Sequence, residues 1–288
     1  MPLQLQGCYT ALVTPFRDGQ VDYEALANLI EAQIAGGVSG IAPVGTTGES
    51  PTLSFDEHMQ VIEFVANKVA KRCQIIAGTG ANSTAEAIHL SKHAASLGVD
   101  ATLQVTPYYN KPNSEGLYRH FATVAETTGV PIVLYNVPGR TGKEIPLDVV
   151  EHLSKHQLVA AIKEAAGSVE RVNAIVNCCD LTVLSGDDSL ALPMMSVGAK
   201  GVISVASNLF PAEISQMCSL ALEGNFREAL KIHRRFYPLF RDLFIESNPI
   251  PVKAAMAMKG LIKEEYRLPL YELSAPARAK LVETMKNY

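Results

Sequence analysis

LVAAIKEAAG, residues 158–167, joins a short apolar run to a charged end. Leu158 to Ile162 are typical of a short buried strand, as found in a sheet that is covered on both faces. Lys163 follows at once, and a buried lysine is unfavourable unless its charge is paired. The run therefore predicts one strand of a covered sheet, and the lysine at its end needs an explanation of its own.

The same order of strand, loop and helix repeats along most of the chain. Helical periodicity lies between the strands, as in Phe55–Lys71 and in Thr84–Leu97, where Ser83 and Glu86 have capping-box spacing. The predicted strands are Cys8–Thr14, Gly40–Val44, Gln74–Ala77, Ala101–Thr106, Pro131–Asn136, Val159–Lys163, Thr182–Ser185 and Gly201–Val205. Eight such units predict an α/β fold, a (β/α)8 TIM barrel, with an open doubly wound sheet as the alternative.

The pattern changes near residue 225, after which only helical segments follow. They are Phe226–Phe244, a helix after the motif NPIPVK of residues 248–253, and Ala275–Met285. We therefore predict a catalytic barrel in residues 1–224 and a C-terminal helical appendage in residues 225–288. No low-complexity linker separates the two parts.

Composition and charge argue against several classes of protein. The 288 residues carry a net charge of -4, and their lysines and arginines are scattered, so no nucleic-acid partner is predicted. No apolar run is long enough to span a bilayer, and the N-terminus has no signal-peptide pattern. The five cysteines are spread along the chain, which indicates free thiols in a reducing compartment. We expect a cytoplasmic protein without a membrane partner.

In a barrel of this kind the catalytic groups lie at the C-terminal ends of the strands. Lys163 ends the sixth strand, where apolar neighbours favour the neutral amine. A neutral lysine attacks carbonyl carbon, which is the first step of Schiff-base catalysis. The alternative is a lysine that extends to solvent and pairs with Glu164. Its position alone does not decide between these two roles.

Other strand ends offer groups that can bind a small acid. In GTTGES, residues 45–50, the amides and hydroxyls of Thr46 and Thr47 can hold a carboxylate. Tyr135 and Tyr109 carry phenols suited to proton transfer, and Arg140 can bind a carboxylate through two hydrogen bonds. A helix cap, a packed tyrosine and a solvated arginine are the structural alternatives.

Two further features resemble metal sites without meeting their requirements. The pentapeptide HLSKH occurs at residues 89–93 and 152–156, but no glutamate follows the first histidine, and both copies lie on helices away from the strand ends. Asp187 and Asp188 follow the seventh strand, where we predict a helix N-cap. No metal site is predicted.

Several motifs occur together in the order of one enzyme family. They are GTTGES, GTGAN, VTPYYNKP, YNVPGRTG, IKEA, LSGDD, GVISV and NPIPVK. Through them, over nearly the whole chain, the sequence resembles the dihydrodipicolinate synthase (4-hydroxy-tetrahydrodipicolinate synthase) family of pyruvate-dependent class I aldolases. The resemblance implies a lyase that condenses pyruvate with L-aspartate-4-semialdehyde on the route to diaminopimelate and lysine, without a metal or organic cofactor.

The resemblance also implies a role for each strand-end residue. Lys163 would form the Schiff base with pyruvate, and Tyr135 would carry protons to and from it. Thr46 would link Tyr135 to Tyr109, which in this family comes from a neighbouring subunit, so a homotetramer or a dimer is expected. The implied substrate contacts are Thr46 and Thr47 for the pyruvate carboxylate, Arg140 for the semialdehyde carboxylate, and Ile203 for the pocket wall and a backbone carbonyl.

Many members of the family are inhibited by lysine beside the active site. The matching positions here are Ser50, His58, Asn82, Glu86 and Tyr108. Phe55 stands where sensitive members can carry histidine, and Pro51 stands where alanine is common. The resemblance with these departures implies weak to moderate inhibition by lysine.

Two other functions remain as alternatives. N-acetylneuraminate lyase and sugar-acid aldolases share the barrel and the Schiff-base lysine, but Arg140 and the Thr46–Thr47 pair favour the synthase. A non-enzymatic barrel that only binds small acids would lack at least one of Lys163, Tyr135 and Arg140, and all three are present.

Overall fold

The computed structural model describes residues 3–288, and its centre is a closed barrel of eight parallel strands. The strands are β1 (Gly7–Ala11), β2 (Gly40–Ala42), β3 (Gln74–Gly78), β4 (Ala101–Val105), β5 (Ile132–Asn136), β6 (Val159–Glu164), β7 (Thr182–Ser185) and β8 (Gly201–Ser204). Each pairs with the next along the chain, and β8 returns to β1 with Gly201 opposite Gly7. Closure of the ring confirms the predicted TIM barrel, and the open sheet is wrong.

Helices follow the strands and cover the barrel, and the last four of them come after β8. Within residues 3–288 they are α1 (Tyr23–Ala35), α2 (Phe55–Val69), α3 (Thr84–Ser96), α4 (Ser114–Thr128), α5 (Pro138–Thr141), α6 (Leu147–Ser154), α7 (Val169–Cys178), α8 (Asp188–Ser196), α9 (Pro211–Leu222), α10 (Phe226–Asp242), α11 (Ile250–Met258) and α12 (Ala275–Met285). Ser83 begins α3 as predicted, because its hydroxyl accepts a hydrogen bond from the Glu86 amide.

The C-terminal helices pack onto the barrel. α10 contacts α8 and α9, while α11 contacts α12 and the short helix Ala206–Asn208 that follows β8. The predicted division of the chain at residues 224 and 225 stays a prediction.

The start of α11 differs from the sequence-based expectation. The helix begins at Ile250, inside the NPIPVK motif and not after it, so Lys253 is a helical residue. Pro249 and Pro251 occupy the cap and the first turn, where a missing amide hydrogen leaves no intrahelical bond unmade. The prolines mark the beginning of this helix.

The expected cap at Asp187 is only partly correct. Asp187 stands at the N-cap position of α8, but its side chain makes no capping hydrogen bond. Asp188 is buried, and its carboxylate accepts hydrogen bonds from the amides of Val205 at 2.9 Å and Ala206 at 3.1 Å. This carboxylate therefore fixes the turn that follows β8.

The two HLSKH segments show no metal geometry. His89 is exposed, and the ring of His93 contacts the Met59 carbonyl at 3.3 Å. His152 stacks on Tyr118 with 4.1 Å between the ring centres. In the described chain no group of three His, Cys, Asp or Glu side chains could hold a metal ion. None of its helices is long and apolar enough to cross a membrane.

Candidate active site

Parallel pairing of β5 with β6 brings the two central side chains together. Tyr135 lies directly opposite Lys163 in the register of these strands. The Lys163 side chain is buried, with only 6% of the residue exposed, and its Nζ lies 4.2 Å from the centre of the Tyr135 ring. A primary amine and a phenol are therefore in contact at the C-terminal end of the barrel.

Glu164 does not pair with Lys163. Its carboxylate accepts hydrogen bonds from Arg171 Nε at 2.9 Å, Asn136 Nδ2 at 2.9 Å and the Ala166 amide at 2.9 Å. No carboxylate of residues 3–288 lies within ion-pairing distance of Lys163 Nζ. The alternative of a solvent-exposed Lys163 paired with Glu164 is therefore wrong.

The loop after β7 leaves space for the lysine. A Cβ atom on Gly186 would lie 3.1 Å from Lys163 Cε and 2.5 Å from the Ala165 Cβ, so only glycine fits there. Next to it, Asp187 Oδ2 is buried and has no hydrogen-bond partner in the described residues. Burial raises the pKa of Asp187, while the Lys163 charge lowers it. The sequence motif LSGDD was the available signal, but it suggested only a helix cap.

A cavity of about 400 Å³ opens in front of Tyr135. It brings together three of the predicted catalytic and substrate-binding residues, Thr46, Tyr135 and Arg140. Four of the residues predicted to bind lysine line the same cavity, namely Ser50, His58, Glu86 and Tyr108. The two predicted sites are therefore parts of one continuous space.

The other predicted residues lie outside that lining. Lys163 packs over the Tyr135 ring, and Thr47 is buried, with its hydroxyl accepting a hydrogen bond from Asn248 Nδ2 at 3.0 Å. Three others remain. Ile203 is fully buried in β8, and Tyr109 is 92% exposed. The Asn82 side-chain amide donates to the Tyr108 carbonyl at 3.2 Å. In the described chain no hydrogen bond joins the hydroxyls of Thr46, Tyr135 and Tyr109, so the relay stays a prediction.

The family model for the dihydrodipicolinate synthetase family matches residues 4–288. The chain belongs to this family. A curated 4-hydroxy-tetrahydrodipicolinate synthase from Aquifex aeolicus is 51% identical over 98% of this chain and 97% of the relative. A solved dihydrodipicolinate synthase from the same species, also 51% identical, has a TM-score of 0.97 over 99% of this chain and 98% of the other.

Two further solved structures of this family carry ligands. A chloride-inhibited dihydrodipicolinate synthase from Acinetobacter baumannii, in complex with pyruvate, is 45% identical, with a TM-score of 0.96 over 99% of each chain. A dihydrodipicolinate synthase from Cyanidioschyzon merolae with lysine bound is 41% identical, with a TM-score of 0.94 over 98% of this chain and 97% of the other.

In this family member one residue of the C-terminal part contacts both Thr47 and Arg140. Asn248 donates through Nδ2 to Thr47, and its backbone carbonyl accepts from Arg140 Nη2 at 3.0 Å. The Arg140 side chain is otherwise exposed on the short helix α5. The sequence gives no signal for this role of Asn248, although the residue belongs to the NPIPVK motif, because its contacts are with residues far away along the chain.

In the part of the cavity lined by the residues predicted to bind lysine, burial shifts the pKa of two side chains. His58 Nε2 lies 2.7 Å from the Gly78 carbonyl, and burial lowers the pKa of this histidine. Burial and the Glu86 carboxylate both raise the pKa of Tyr108. A neutral histidine, a neutral phenol and the Glu86 carboxyl group therefore face the space in which a lysine effector is expected.

Proposed function

We propose that this protein is a 4-hydroxy-tetrahydrodipicolinate synthase. In this proposal it condenses pyruvate with L-aspartate-4-semialdehyde, in the branch of amino-acid biosynthesis that leads to diaminopimelate and lysine. The observation that carries the proposal is a buried lysine without a carboxylate partner, in contact with Tyr135 beside a cavity that also receives Thr46 and Arg140. The names of the Aquifex aeolicus relatives support it.

The first half of the reaction forms a nucleophile from pyruvate. The Lys163 amine attacks the ketone carbon, and loss of water leaves a protonated imine. The imine withdraws electrons, so the methyl group of pyruvate loses a proton and an enamine forms. Tyr135 is the acid and base for these transfers, and Thr46 and Thr47 hold the pyruvate carboxylate. The pyruvate complex of the Acinetobacter baumannii relative supports pyruvate as the substrate.

The second half joins the two substrates. The enamine carbon attacks the aldehyde carbon of aspartate semialdehyde, whose carboxylate is held by Arg140 through charge-assisted hydrogen bonds. The amino group of the new product then attacks the imine carbon, which closes the ring and returns Lys163 as a free amine. Each step uses protein side chains alone, and Ile203 contributes to the wall of the pocket.

The proposal includes the assembly and location of the protein. The Tyr109 side chain is 92% exposed in one chain, so it is available to complete the proton relay of a neighbouring copy. We therefore propose at least a dimer, with a homotetramer as the expected form. The free cysteines support a reducing cytoplasm.

Complementation tests this assembly. Lys163→Met and Tyr109→Phe chains, each poorly active alone, should regain activity when they are unfolded and refolded together. A mixed dimer then holds one site with an intact Lys163 and an intact Tyr109 from the other chain. No gain over the separate variants would contradict the exchange of Tyr109.

Borohydride trapping tests the chemistry itself. Wild-type protein treated with pyruvate and borohydride should gain a reduced adduct on Lys163, detectable by peptide mass spectrometry. A protein without this adduct would reject Schiff-base catalysis. Turnover with aspartate semialdehyde should then exceed turnover with N-acetylneuraminate or other oxo-acids. The reverse order would favour a sugar-acid lyase.

Regulation by lysine is a further part of the proposal. Ser50, His58, Glu86 and Tyr108 line the cavity, and Asn82 holds the Tyr108 carbonyl beside it. The lysine-bound relative from Cyanidioschyzon merolae supports an effector site of this kind. We expect weak to moderate inhibition by millimolar lysine in steady-state assays, and less in Glu86→Gln. Wild-type rates that millimolar lysine leaves unchanged would contradict this part of the proposal.

A further inference from the structure

A second lysine is buried in this molecule, far from Lys163 along the chain. Lys253 on α11 is fully buried, and its Nζ lies 2.5 Å from Glu49 Oε1, on a side chain that is also fully buried. The Lys253 ammonium also lies 4.3 Å from the centre of the Phe16 ring. Burial lowers the pKa of Lys253, and the Glu49 charge opposes that shift. The two groups form an ion pair that is closed to solvent.

Glu49 belongs to the turn that carries the two threonines. Its backbone is left-handed, with φ of 55°, a conformation that is strained for residues other than glycine. Its amide donates to the Thr46 carbonyl at 3.1 Å, so its position fixes the loop in which Thr46 and Thr47 lie. A strained residue persists only where its surroundings hold it, and the side chain of Glu49 is held by Lys253.

The neighbouring glycine leaves this turn little freedom. A Cβ atom on Gly48 would lie 2.9 Å from Val44 N and 3.1 Å from the Leu12 carbonyl oxygen. The Gly48 carbonyl accepts a hydrogen bond from Thr14 Oγ1 at 2.7 Å. The turn is thus packed tightly on the barrel side, and its outer side faces the C-terminal part.

The same C-terminal part contacts the turn at three places. Asn248 donates to Thr47, Lys253 pairs with Glu49, and Arg267 Nη1 donates to the Thr52 carbonyl at 3.0 Å. The pair with Glu49 stands between the other two along the turn, and it is the only one of the three in which both groups carry charge. Residues 248–267 therefore hold residues 47–52 from one side.

We infer that Lys253 and Glu49 are positioning residues, through which the C-terminal helices set the geometry of the carboxylate-binding turn. Buried ion pairs can often be replaced by apolar residues without loss of stability, so stability alone does not require this pair. A turn that must present two amides and two hydroxyls to one carboxylate does require fixed geometry. The inference rests on the proposed function, in which that carboxylate belongs to pyruvate.

The decisive variant replaces both charges by apolar side chains of similar size, Glu49→Leu with Lys253→Met. It removes the pair without leaving a buried unpaired charge. We expect the KM for pyruvate to rise about 10-fold or more, with the KM for aspartate semialdehyde changed less than about threefold. A folded double variant with the wild-type KM for pyruvate would overturn the inference.

Thr284→Val is the matched control. Thr284 is buried on α12 and donates its hydroxyl hydrogen bond to Asp242 on α10, so the change disturbs two other helices of the C-terminal part, away from the turn. Its KM for pyruvate should equal the wild-type value. An equal rise in this control would mean that loosening of the helices, and not the pair, moves the turn, and would overturn the inference.

Two further measurements keep the test decisive. If the double variant does not fold, Glu49→Gln takes its place, because it keeps the shape but removes one charge. Its KM for pyruvate should rise by about threefold or more, and an unchanged value overturns the inference. Wild-type protein that forms no borohydride adduct with pyruvate overturns the proposed function and this inference together. An adduct in the wild type with unchanged KM in the variants overturns the inference alone.

Discussion

The two buried lysines differ in what faces the ammonium group. Lys253 has a carboxylate at 2.5 Å, from Glu49, and both side chains are fully buried. Lys163 has no carboxylate within ion-pairing distance in residues 3–288, although only 6% of it is exposed. Both lie over an aromatic ring, Tyr135 at 4.2 Å for Lys163 and Phe16 at 4.3 Å for Lys253. The carboxylate, and not the burial or the ring, therefore separates them.

This difference has a chemical meaning. A paired ammonium is stabilised in its charged form and holds its partner in place. A neutral lysine amine without a carboxylate partner is a nucleophile toward carbonyl carbon. This contrast supports the proposed roles, a structural one for Lys253 on α11 and a chemical one for Lys163 at the end of β6.

Lys163→Met should produce the largest effect. Turnover should fall on the order of 10³-fold or more, because the covalent nucleophile is lost. The free energy of unfolding should stay unchanged or rise, because methionine fills similar space without a buried charge. Steady-state kinetics and urea unfolding measure the two quantities. A large loss of stability would mean that Lys163 has a structural partner, which would break the comparison.

The sequence could identify one lysine and not the other. Lys163 ends a local apolar pattern, and its strand is predicted as Val159–Lys163 and found as Val159–Glu164, because strands buried on both faces have continuous apolar runs. Lys253 and Glu49 are 204 residues apart, and no local pattern relates them. The same limit explains why Asn248 was missed and why Asp187 was assigned only to a cap.

Lys253→Met should have the second largest effect, and it acts on stability. The change leaves Glu49 as a buried carboxylate without its partner, which should lower the free energy of unfolding by about 3–5 kcal/mol. Urea unfolding monitored by circular dichroism measures this loss. The Glu49→Leu, Lys253→Met double variant is the control and should recover most of it. A loss below about 1 kcal/mol in the single variant would mean that the pair is not coupled to folding.

Arg140→Ala extends the comparison to a cation that is exposed at the cavity. Its guanidinium donates to the Asn248 carbonyl and lines the cavity, where we propose that it binds a substrate carboxylate. The KM for aspartate semialdehyde should rise about 10- to 100-fold, since charge-assisted hydrogen bonds are lost. Formation of the borohydride adduct with pyruvate should not change.

Arg140→Lys is the control for that charge. It keeps the cation but loses the planar pair of donors. Its KM for aspartate semialdehyde should therefore lie between the values of wild type and Arg140→Ala. Equal loss of pyruvate adduct in both variants would place Arg140 on the pyruvate carboxylate instead. In that case the division of labour between the glycine turn and the arginine would be wrong.

Lys155→Met should have the smallest effect and completes the comparison with an exposed lysine. Lys155 follows α6, its side chain is 70% exposed, and its Nζ lies 3.3 Å from Glu151 Oε1. Exposed pairs of this spacing contribute little, because water and salt screen the charges, so the free energy of unfolding should change by at most about 0.5 kcal/mol. Urea unfolding at low and high salt measures it. A loss comparable to that of Lys253→Met would show that pairing outweighs burial. The expected order requires that a lysine be both buried and paired before its removal strongly lowers the free energy of unfolding.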